Sequence, residues 1–126
     1  MELIIGGAYQ GKLAYAKETF SLAQEDIFVC SETCTHIDFS KKAVYGIELF
    51  TLACVRAGVS PRAYFEAHRG EWARSVLICT DISCGVVPVD AQLRAWREET
   101  GRLLNDLSAG AGRVTRLFCG IAQVIK

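Results

Sequence analysis

Three observations predict an α/β fold with a mostly parallel sheet and helices on both of its faces. Short apolar runs alternate along the chain with segments that carry helix formers at helical spacing. The runs are continuous rather than alternating, which suits strands covered on both sides. The last two, Val114–Cys119 and Ala122–Ile125, stand close together around Gly120 and predict a C-terminal β-hairpin.

Taken in order, Leu3-Ile4-Ile5 reads as a buried strand ending in glycines, and Lys12 to Ala23 as a helix with Leu13, Ala16, Phe20 and Ala23 on its apolar side. Asp26–Cys30 is a second strand. Ser31 to Lys42 is polar and without period, hence a loop or short helical turn. Ala43–Ile47 is a third strand, and Glu48 to Ala57 a helix stopped by Gly58. Ser60-Pro61 restarts a helix, with serine as its cap and proline in the first turn, running to about Ala73. Ser75–Cys79 is the clearest strand. Asp90 caps the longest helix, to about Leu107, with Leu93, Trp96, Leu103, Leu104 and Leu107 on one face. Gly110 and Gly112 end it.

The 126 residues suit one domain, 1–126, and 51% hydrophobic content supplies a core. Fourteen basic residues balance fourteen acidic ones, so no basic face for nucleic acid is expected. No apolar run has the roughly 20 residues of a membrane span. The first residues lack the pattern of a signal peptide, so the expected location is cytoplasmic. In a reducing compartment the six cysteines are not read as disulfides. Cys30/Cys34 and Cys79/Cys84 would need help from elsewhere to hold a metal. Cys30, Cys54, Cys79 and Cys119 lie in apolar segments and read as small buried hydrophobes.

The chemistry concentrates at Gly6-Gly7-Ala8-Tyr9-Gln10-Gly11-Lys12-Leu13, which fits G-x-x-x-x-G-K between a strand and a helix. Glycines let the backbone turn tightly, so that several N–H groups face one anion. The following helix start adds partial positive charge. Lys12 would reach the terminal phosphates of ATP or GTP. The fold is therefore expected to be three-layered and P-loop NTPase-like. Leu13 departs from the pattern: serine or threonine there normally gives its hydroxyl to magnesium. Weakened phosphoryl transfer with less affected nucleotide binding is expected. The alternative is a glycine-rich strand-to-helix turn with a surface lysine.

These residues resemble the bifunctional adenosylcobinamide kinase and adenosylcobinamide-phosphate guanylyltransferase family of cobalamin biosynthesis. That family opens with GGARSGKS and a helix with Ala-Glu; here the turn is followed by Ala16-Lys17-Glu18. Its strand, N-E-V-G-x-G-I-V-P and R-x-F-R-D-x-x-G-R are similar to Thr80–Pro88 followed by Arg94, Trp96, Arg97, Glu98, Gly101 and Arg102, at the same spacing and without gaps to Lys126. Ile47-Glu48-Leu49-Phe50-Thr51 resembles the family's carboxylate-bearing strand end.

The resemblance implies kinase or nucleotidyltransferase chemistry, adenosylcobinamide as acceptor and self-association. Lys12 would act on the phosphates, with Glu48 and Asp81 organising Mg2+ or the acceptor hydroxyl. Glu48 reads equally as a helix-start carboxylate, and Asp81 as a loop cap. Family members are longer between the first helix and the Glu48 segment, where their guanylylated histidine lies. Here that stretch holds only His36, which would need a second group to orient it, and Asp38 is near in sequence. An ordinary loop histidine is the alternative. His68 comes in the wrong chain order and is discounted. Arg94, Arg97 and Arg102 read as a solvated face, with phosphate or partner contact as the alternative. Trp96 reads as core or subunit interface. A shortened, non-catalytic paralogue that binds a nucleotide or a corrinoid, or regulates a longer partner, is the second expectation.

Overall fold

The structure is a computed structural model that describes residues 1–82 and 89–126. Cys84 and the Gly85–Pro88 part of the family resemblance lie outside the described residues. Six strands form one sheet: β1 (Glu2–Gly6), β2 (Ile27–Val29), β3 (Ala43–Tyr45), β4 (Val76–Thr80), β5 (Arg113–Phe118) and β6 (Ile121–Val124). Their order across the sheet is β2-β3-β4-β1-β5-β6. All pairings are parallel except the terminal β5–β6 hairpin. The α/β sheet and the hairpin thus match the sequence reading.

Helices α1 (Lys12–Thr19), α2 (Ile47–Ala57), α3 (Pro61–Ala67), α4 (Arg69–Trp72) and α5 (Ala91–Gly110) cover the sheet unequally. Alternate strand residues point to opposite faces. Ile4, Val76, Ile78 and Leu117 pack with Ala16 of α1. Leu3, Val44, Leu77 and Val114 pack with Phe50, Phe65, Trp72, Leu103 and Leu107 from the other four helices. Among the described residues, one face therefore rests on a single short helix and the other on a larger apolar layer. No helix among the described residues is long and apolar enough to cross a membrane.

Local signals explain most boundaries. Ser60 Oγ accepts the N–H of Ala63 at 3.1 Å, and Asp90 Oδ1 accepts that of Leu93 at 3.0 Å, so both predicted caps form. Gly58 closes α2 with φ 70°. Three expectations are corrected. The first helix stops at Thr19 rather than Ala23, because Ser21 turns the chain with φ 53°. The helix begun at Pro61 breaks at His68 into α3 and α4, where the Trp72 indole donates to Phe65 O at 2.7 Å. Cys119 is not buried: it is exposed in the hairpin turn, with φ 51° beside Gly120 at 77°.

Candidate phosphate and nucleotide site

β1 delivers the chain to Gly6, whose lack of a side chain is a packing requirement: a Cβ there would stand 2.6 Å from Leu117 O of β5. Residues 7–11 then leave the sheet. Tyr9 takes φ 60° and is fully exposed, and Gly11 takes φ 89° as the cap of α1. No side chain caps that helix and its first turn holds no acidic residue. Among the described residues, the backbone N–H groups from Gly7 to Gly11 find no protein acceptor. Such groups seek water or a ligand.

Lys12 is only 5% exposed, and its Nζ donates to Gly7 O at 2.6 Å across the turn. Burial pushes its pKa below the ordinary lysine value, while the nearby Glu48 carboxylate and Cys79 oppose that shift. A cavity of about 240 Å³ opens on this corner, walled by Ala8–Ala14 together with Tyr45 of β3 and Thr80 of β4. Leu13 lines it with an apolar side chain, without a hydroxyl to offer.

Glu48 lies in the first turn of α2 rather than at a strand end, since β3 stops at Tyr45 and Gly46 with φ 82° already caps the helix. Its Oε1 accepts Thr80 N at 2.9 Å, so the carboxylate bridges α2 to the C-terminal end of β4. Its carbonyl oxygen accepts the Trp96 indole N–H at 2.7 Å, which docks α5 on α2. Trp96 is thus a half-buried helix-packing residue. Asp81 follows β4 directly, with its N–H donated to Gly6 O at 2.8 Å. It lines two further cavities, of about 150 and 200 Å³, that flank Ile5. Lys12, Glu48 and Asp81 are thereby brought to one edge of the sheet, at the ends of β1, β3 and β4.

His36 is elsewhere. It lies exposed in the β2–β3 loop, with Nδ1 3.4 Å from the Tyr64 hydroxyl of α3, and does not line the glycine-turn cavity. Asp38 does not orient it; Oδ1 is taken by the N–H and hydroxyl of Ser40. Those bonds hold the Asp38 carboxyl below its usual range. His68 is a packing residue, its ring stacked on Tyr64 at 4.2 Å and its Nδ1 2.8 Å from Tyr64 O. Arg94 bonds the Val89 carbonyl and Arg102 pairs with Glu98 along the exposed face of α5. The described residues contain no cluster of three or more His, Cys, Asp or Glu side chains fit for a metal. A further cavity, about 430 Å³, is a groove between α3 and α5 spanned by the Arg62–Asp106 ion pair, remote from the glycine turn in its lining.

Two contributors had no sequence signal, and Gln10 of the glycine motif gains a second role. Thr80 and Tyr45 wall the site only because β4 lies next to β1 and β3 next to β4 in space. Gln10 ties the turn to the hairpin: its carbonyl accepts Gly120 N at 3.1 Å and its Oε1 accepts Cys119 N. No family model matches this chain, and no curated protein matches it.

Proposed function

We propose that this chain binds ATP or GTP, with the phosphates held in the Gly6–Lys12 turn of a P-loop NTPase-like fold. The observation that carries this reading is the run of N–H groups from Gly7 to Gly11 with no acceptor among the described residues, beside the buried Lys12 ammonium and one cavity. A bare, uncapped helix start adds to the positive potential there. The strand order supports it too, since β4 alone separates the glycine-turn strand from the strand that leads to Glu48.

The sequence resemblance extends the proposal to adenosylcobinamide kinase and adenosylcobinamide-phosphate guanylyltransferase chemistry in the cytoplasm, with self-association. Lys12 would balance charge on the phosphates. Glu48 and Asp81 are the carboxylates able to hold Mg2+, which commonly needs one or two such groups beside phosphate and water. The ion would supply charge neutralisation. Asp81 would orient an acceptor hydroxyl. His36 is too poorly supported by its surroundings to carry guanylyl transfer.

Leu13 favours a second reading, a non-catalytic paralogue that binds a nucleotide or a corrinoid, or regulates a longer partner. Calorimetry with GTP and ATP, with and without Mg2+, tests the primary claim. Binding in the micromolar to low millimolar range supports it, and no heat at millimolar nucleotide overturns it.

A further inference from the structure

The hairpin beside the glycine turn carries an aromatic ring that is largely exposed. Phe118 ends β5, the strand next to β1, yet is 62% exposed. Its cross-strand partner Ile121 is 70% exposed. Directly paired residues of an antiparallel ladder share a face, so the two form one apolar step at the sheet edge. Between Phe118 and the turn residues Gly6, Gly7 and Gln10 lies the cavity of about 150 Å³, with Arg116 and Asp81 on its walls.

That volume is small for a whole ligand, which commonly needs roughly 300–1,000 Å³. It suits one ring system of a molecule anchored elsewhere. The anchor is adjacent: Gln10 lines both this cavity and the phosphate cavity. Gln10 also binds the hairpin turn through Gly120 and Cys119, so Phe118 and the phosphate turn are held to each other. A planar ring over Phe118 with the Arg116 guanidinium alongside has the makings of a stack with added cation–π attraction.

We propose that the nucleobase of the bound nucleotide stacks on Phe118, in the slot between the hairpin and Gly6–Gly7. This rests on the phosphate reading above, and the probes separate the two. Inorganic tripolyphosphate reports the turn alone, and GTP and ATP report turn plus base. Calorimetry on the wild type is expected to give at least one of the two nucleotides about tenfold tighter binding than tripolyphosphate, in keeping with base–aromatic stacking. Phe118→Ala should abolish that advantage and leave tripolyphosphate affinity within about twofold, while Phe118→Trp should keep it. Circular dichroism confirms that each variant is folded. The proposal is overturned if Phe118→Ala leaves the advantage intact, if neither nucleotide outbinds tripolyphosphate, or if Tyr9→Ala removes the advantage in place of Phe118→Ala. Failure of tripolyphosphate to bind at all overturns the phosphate reading itself.

Discussion

The carboxylate of Glu48 accepts the backbone N–H of Thr80 at 2.9 Å, joining the first turn of α2 to the last residue of β4. It also supplies the negative charge that partly restores the Lys12 ammonium. The two roles separate by substitution. Glu48→Ala leaves Thr80 N without its acceptor and should cost about 1–3 kcal/mol of stability in urea unfolding. Glu48→Gln keeps an acceptor and should cost less than half as much, yet lose the Mg2+ dependence of nucleotide binding. Equal stability losses would mean that charge, not the hydrogen bond, fixes this corner.

Lys12 gives a pH signature. Burial lowers its pKa from 10.5, and only the ammonium form attracts phosphate. Triphosphate affinity should therefore fall with rising pH, beginning below the ordinary lysine range. Lys12→Arg should remove the fall up to pH 10, because guanidinium stays charged. Glu48→Gln should shift the fall to lower pH. Fluorescence titrations from pH 7 to 10 read all three, and a flat wild-type profile would exclude Lys12 from phosphate contact.

Leu13 decides between enzyme and binding module. Leu13→Ser restores the hydroxyl at the cavity wall. Wild type inert with ATP, GTP and adenosylcobinamide, with turnover gained by Leu13→Ser, selects the non-catalytic reading. Robust wild-type turnover eliminates it.

The glycine turn, the Ser60 and Asp90 caps, the Gly58 stop and the closing hairpin were legible because each is set by residues within a few positions of one another. The order of strands was not, since it depends on which apolar runs meet across the sheet. The break at His68 is not legible for a related reason: the Trp72 indole reaches back to Phe65 O, and no helical periodicity encodes that bond. Cys119 read as buried from its apolar neighbours, but the tight turn with Gly120 puts it outside. At the site, Lys12 and Gly6–Gly11 were visible as a motif. Thr80, Tyr45 and Phe118 join it only through strands distant in the chain.

Gly6 offers a packing test. A methyl group at this position meets the Leu117 carbonyl at 2.6 Å, and a main-chain oxygen yields less easily than a side-chain end. Gly6→Ala should lower stability by about 1–3 kcal/mol. It should also weaken triphosphate binding, since the strand must shift at the root of the turn. Unchanged urea midpoint and affinity would show that β1 and β5 separate freely there.

Buried thiols predict alkaline sensitivity. Burial raises Cys30 to about 12 and Cys54 to about 11, against 9.0 for a free thiol. Unfolded thiols ionise above pH 9 while folded ones keep their protons, so stability is intact below pH 9. It declines from there toward about 11 for Cys54 and about 12 for Cys30. Each thiol contributes a slope of up to about 1.4 kcal/mol per pH unit. Cys54→Ala should therefore lose less of its urea midpoint between pH 8 and 10.5 than the wild type does. An identical drop would place Cys54 in contact with solvent.

The two ladder partners of β1 are Val76–Thr80 and Arg113–Leu117, both recruited from far along the chain. During synthesis the glycine motif leaves the ribosome well before either of its supporting rails has been made. A stretch that looks self-contained on paper is thus completed last in space, and a fragment ending before Val76 would carry the whole signature with nothing to hold its shape.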